Sequence, residues 1–72
     1  MDSNIKEKLA NRIISLREKR GLSQEVLASI AKIDRSYMSR IERAKVSTGI
    51  EKIAQIAKAL DVEPWELLKF DE

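Results

Sequence analysis

Cysteine and histidine are both absent from the 72 residues. No disulfide can staple this chain, and no thiolate or imidazole set can hold zinc. The same absence removes the commonest nucleophile and the commonest general base of enzymes. No glycine-rich phosphate loop occurs, and the acids are either spread among bases along helices or gathered in the tail, so no reaction chemistry, metal or cofactor is expected. Glycine occurs twice, proline once, and Trp, Tyr and Phe once each, which argues against a β-rich or turn-rich architecture. The first twenty residues hold no long apolar run, so neither a secretory leader nor a membrane span is expected, and the expected location is cytoplasmic.

What remains is a helix-forming chain. Hydrophobic residues make up 43% of it, enough for a folded core rather than disorder. Residues 1–72 read as a single small domain that must fold on helix packing alone, for which association with a second copy is an economical source of further burial. The net charge is only +2, but its distribution is uneven. Residues 1–20 carry six Lys or Arg against three acids, residues 21–49 five against three, and residues 50–72 three against six. An anionic partner would meet the front of the molecule and avoid the tail.

Apolar spacing divides the chain into five helices. Ile5, Leu9, Ile13 and Leu16 recur at helical intervals from about residue 3 to Arg20, with Gly21 as the stop. Ser23 is placed to cap a short second helix carrying Val26, Leu27, Ile30 and Ala31, and Asp34 to cap a third with Met38 and Ile41 inward. Thr48-Gly49-Ile50-Glu51 reads as a capping box for a fourth helix, with a buried stripe of Ile50, Ile53, Ala57 and Leu60 widened by Ala54 and Ile56. Asp61 suits a left-handed stop, and Pro64 the first position of a short fifth helix.

The stretch QEVLASIAKIDRSYMSRIER, residues 24–43, contains two of these helices with almost nothing between them. Ala28 is small enough to let them cross closely, and Leu27, Ala31, Ile33, Met38 and Ile41 can bury together to fix the angle. That is a helix-turn-helix, and its second helix can be presented rigidly to the major groove of duplex DNA. Arg35 and Ser36 stand on the leading turn, with Ser39 and Arg40 on the next. Arg can grip guanine O6 and N7 bidentately, and Ser can bond a base edge or a phosphate. Gln24, at the start of the preceding helix, Tyr37, Arg43 and Lys45 suit contacts to the DNA backbone. Each has a plainer reading: Arg40 paired with a neighbouring acid, Tyr37 packed by its ring, Gln24 merely starting a helix, and Arg43 and Lys45 a solvated charge run. Trp65, Leu68 and Phe70 are either core or a surface for a second copy.

The pieces RIISLREKRGLSQEVLA, DRSYMSRIERAK and IEKIAQIAKALDVEPWELL resemble the Cro/C1-type helix-turn-helix family of phage repressors and bacterial regulators over about residues 6–69. Within that family the chain looks most like the small controller proteins of restriction–modification systems. The resemblance implies an all-α, compact five-helix, lambda-repressor-like DNA-binding domain and a homodimer on palindromic operator DNA that regulates transcription, with RNA polymerase as a further candidate partner. It gives Arg35, Ser36, Ser39 and Arg40 to base reading, Gln24 to phosphate contact, and Tyr37 to a backbone or base contact. Arg17 and Glu42 match a pair that in the family forms a shielded salt bridge between the first and third helices. Physical chemistry agrees that such charges beside Leu16 and Ile41 should be paired, although Arg17 can also reach phosphate. Three departures stand out. Lys32 occupies the turn position where the family usually has Gly, Ala44 replaces another frequent Gly, and Val46 removes a DNA contact. The rival function is a protein-binding module, either a toxin's antitoxin or a helical adaptor using its apolar tail.

Overall fold

A computed structural model describes residues 4–70. Four α-helices run Ile5–Lys19 (α1), Gln24–Ala31 (α2), Arg35–Glu42 (α3) and Ile50–Ala59 (α4), and a short 3₁₀ helix follows at Pro64–Leu68. Among the described residues there is no strand. The α1 helix packs on α3 and on the 3₁₀ helix, while α4 packs on α2 and also on the 3₁₀ helix. The helix-turn-helix pair, α2 and α3, is thus clamped from both sides.

The core is the predicted one in its centre. Ile13, Leu27, Met38, Ile41, Ile56, Leu60 and Leu67 are fully buried, with Ala28, Ala31, Ala57 and Ile33 closing the gaps between backbones. Each large side chain of this set contributes about 1.5–3 kcal/mol by leaving water. The ends of the predicted stripes behave differently. Ile5, Val26, Ile30 and Ile50 are exposed, Ile50 at 82%, and so is Ala54. Ile50 continues the α4 stripe by one more turn, but that turn projects beyond the last neighbour able to cover it.

Helix starts follow the sequence in two of three cases. The Ser23 side chain accepts a hydrogen bond from the Val26 N–H at 3.0 Å, and the Asp34 carboxylate accepts from Tyr37 N–H at 3.3 Å. The expected capping box at Thr48 does not form: α4 begins one residue later, with Gly49 as its cap and no side-chain bond. A capping box forms instead at the 3₁₀ helix, where the Glu66 carboxylate accepts from Glu63 N–H at 3.0 Å and Pro64 takes the first position. The fifth helix is accordingly a tight 3₁₀ turn rather than an α-helix. Its backbone is tied to α1 by Arg12, whose Nε donates to the Glu66 carbonyl at 2.8 Å.

All four α-helices stop in the same way. A left-handed residue, Gly21, Lys32, Ala44 or Asp61, with φ of 69°, 60°, 59° and 60° respectively, turns the chain. The next N–H then reaches back five residues: Leu22 to Arg17, Ile33 to Ala28, Lys45 to Arg40 and Val62 to Ala57, at 2.9–3.1 Å. This closes carbonyls that a helix end leaves open. Only the first of the four stops uses glycine, so three side-chain-bearing residues carry the strain of that conformation. Between α2 and α3 the left-handed Lys32 makes the turn as short as the sequence spacing requires. Gln55 of α4 adds a bond from its Nε2 to the Ala31 carbonyl at 2.9 Å, sealing the end of α2.

Candidate nucleic-acid interface

A buried ion pair holds the helix-turn-helix in place. Glu42, at the end of α3, is buried, and its two carboxylate oxygens accept from Arg17 Nε at 2.9 Å, Arg17 Nη2 at 3.0 Å and Gln24 Nε2 at 3.0 Å. Arg17 also donates through Nη1 to the Leu22 carbonyl at 2.9 Å. The carboxylate thereby joins α1, the first residue of α2 and the last turn of α3, and Arg17 adds the loop before α2. Both shielded oxygens find donors, the condition under which a buried charge is tolerated. The arrangement turns the Arg17 guanidinium inward. It also uses one hydrogen of the Gln24 amide and leaves the second for another acceptor.

From this anchor α3 points its first turn outward. A groove of about 580 Å³ runs along the outer side of the pair, lined by Ser23, Gln24, Glu25, Arg35, Ser36, Ser39, Arg40 and Arg43. Five residues singled out in α3 and its end share this one surface with Gln24. Arg35 and Ser36 are exposed at its head and Arg40 and Arg43 along its length, while Ser39 is half-buried. Arg43 folds back to donate from Nε to the Ser39 carbonyl at 3.4 Å. Tyr37 is half-buried against the core and does not line the groove. Its ring carries the Arg40 guanidinium at 5.6 Å from the centroid, a cation–π contact that gives Arg40 an aromatic partner where sequence reasoning offered an acid. Lys45 is exposed beyond the end of α3, and Val46 packs partly against the core.

Sequence spacing gives no reason to single out Glu25, yet the structure does. Its carboxylate Oε2 takes a hydrogen bond from Arg35 Nη1 at 2.8 Å, across the open mouth of the helix-turn-helix. An acid in the first turn of a helix reads as a partner for the helix dipole, so ten residues of separation conceal the pairing. The turn and the crossing of α2 and α3 let the two side chains meet, with the first residues of both helices lining one groove.

The tail residues divide. Trp65 and Leu68 are exposed, at 61% and 48%, on the 3₁₀ helix, while Leu67 between them is fully buried. Phe70 packs partly on the core, with Lys8 Nζ 6.0 Å from its ring centre. Among the described residues no group of acids could hold a metal ion, and no helix is long and apolar enough to cross a membrane.

Known proteins share this geometry. A helix-turn-helix family model matches residues 13–67. The control protein C.BamHI of Bacillus amyloliquefaciens is 37% identical over 71 residues, covering 97% of this chain and 88% of that protein. The control protein C.SmaI of Serratia marcescens is 37% identical over 65 residues, covering 90% of this chain and 77% of its own length. The crystal structure of the restriction–modification controller C.AhdI from Aeromonas hydrophila superimposes with a TM-score of 0.84 at 42% identity, over 86% of this chain and 94% of that one. The fold is thus the all-α, lambda-repressor-like one and not that of an enzyme, and the chain belongs to the Cro/C1-type helix-turn-helix family of DNA-binding regulators, where it matches the restriction–modification controllers.

Proposed function

We propose that this chain is a restriction–modification controller that binds palindromic operator DNA as a homodimer and thereby sets the access of RNA polymerase to a nearby promoter. The observation that carries the reading is the single groove at the head of α3, where Arg35, Ser36, Ser39, Arg40 and Arg43 gather beside Gln24. Arg35 and Arg40 are assigned to base edges, with Ser36 and Ser39 beside them. Gln24, Tyr37, Arg43 and Lys45 are assigned to the backbone, Gln24 through its second amide hydrogen and Tyr37 through its hydroxyl.

One such domain presents few base contacts, so a second copy is needed for specificity. Trp65 and Leu68 offer an exposed apolar pair on the 3₁₀ helix, and Phe70, two residues further on, is half-buried. A dimer reading two half-sites must hold its two α3 helices about 34 Å apart, one turn of duplex. Gel-shift titration with the DNA upstream of the gene, beside a scrambled duplex of the same length, tests the reading. Preferential retardation of the upstream duplex is expected. Equal binding of the two duplexes contradicts it.

A further inference from the structure

The acid at the mouth of the groove has no place in the contacts just assigned. Glu25 and Arg35 are both well exposed, with side chains 69% and 68% accessible, yet they meet at 2.8 Å. An isolated surface pair of this kind contributes little to folding. Its position is the notable feature, because a carboxylate stands on a surface otherwise lined by Arg35, Arg40, Arg43 and small polar groups. Phosphates approaching that surface meet a negative charge beside the foremost cation.

We infer that Glu25 is a specificity-determining residue, which holds the Arg35 guanidinium as a neutral pair and so disfavours phosphate while leaving guanine readable. The inference rests on the base-reading role proposed for Arg35. Guanidinium has five N–H donors in a planar fork, and Glu25 engages Nη1 only. The remaining donors can still meet the two acceptors of a guanine edge, O6 and N7, which carry no net charge and are not repelled by the carboxylate. A phosphate is anionic, so it must either displace Glu25 or sit beside it. Arbitrary DNA offers phosphates everywhere and a guanine edge at the required place only rarely. The pair therefore weakens arbitrary binding more than site binding, and specificity is that difference. Holding Arg35 at the mouth also reduces the rotamer freedom it must lose on docking.

The test begins by letting the wild-type protein select its preferred duplex from a randomised pool. That duplex and a scrambled one are then titrated with wild type, Glu25→Gln, Arg35→Ala and the double variant. Glu25→Gln is expected to bind the scrambled duplex roughly fivefold tighter and to steepen the salt dependence by about one unit on a log–log plot. Affinity for the selected duplex should change by less than about threefold, so that discrimination falls. In the Arg35→Ala background, Glu25→Gln should leave the ratio of the two affinities unchanged. Both side chains are exposed, so thermal melting by circular dichroism should match wild type in every variant. An unchanged ratio in Glu25→Gln, or the same change with and without Arg35, overturns the inference while leaving the DNA-binding reading intact. If wild type selects no duplex at all, the reading falls and takes the inference with it.

Discussion

At the scale of single residues, Glu42 decides the most. Its side chain is nearly inaccessible, at 3%, and its carboxylate satisfies Arg17 and Gln24 at once. Removing it strands a guanidinium whose own side chain is only 15% accessible. Glu42→Ala should therefore cost about 3–5 kcal/mol, read as a fall in the midpoint of urea denaturation, whereas replacing Arg17 and Glu42 together with apolar residues should cost less than the two single losses combined. Lys32 is the opposite case. It stands at φ 60° where glycine would adopt the same turn without a Cβ, so Lys32→Gly should raise stability by about 0.5–1 kcal/mol in the same assay. Stability unchanged or lowered by Lys32→Gly would show that the turn is not strained.

At the scale of elements, the two caps of the helix-turn-helix carry separable consequences. Ser23→Ala removes the bond to Val26 N–H and Asp34→Ala the longer bond to Tyr37 N–H, each at a cost of about 1 kcal/mol. Only Asp34 fixes the turn that carries Arg35 and Ser36, so Asp34→Ala should also weaken DNA binding, measured by gel shift at temperatures where the protein remains fully folded. Both caps are readable in the sequence because a cap is local: a small polar residue followed by an apolar period. The same local logic misplaces the cap of α4, where Thr48 and Glu51 have the right spacing but the helix starts after Gly49. It also assigns Ile50 to the core, since periodicity reports which face a residue shares and not where the covering neighbour ends. The pairing of Arg17 with Glu42 comes from family likeness joined to the rule that shielded charges pair. Glu25 with Arg35 and Arg40 with Tyr37 escape it. Those contacts depend on rotamers and on the angle between α2 and α3, which no spacing encodes.

At the scale of the whole molecule, the cationic groove and the apolar pair of the tail lie on different elements. The cations of α3 and its end share one groove, while the exposed Trp65 and Leu68 lie on the 3₁₀ helix, which packs against α1 and α4 and not on the groove side. That separation suits a protein that meets DNA with one surface and its own copy with another. Trp65→Glu should shift the sedimentation coefficient toward monomer at micromolar concentration and weaken operator binding, while leaving the weak binding of scrambled DNA nearly unchanged. A variant that remained fully dimeric would remove Trp65 from the interface.

In the proposed complex α3 enters the major groove led by Arg35. Dimethyl sulfate footprinting of the selected duplex reads it directly, because the reagent attacks guanine N7, the atom a docked guanidinium covers. Protected guanines are predicted in two patches about one helical turn apart, with protection lost at the guanine assigned to Arg35 in Arg35→Ala. Guanine N7 atoms that stay reactive throughout a bound site, or a footprint identical in wild type and Arg35→Ala, would contradict it.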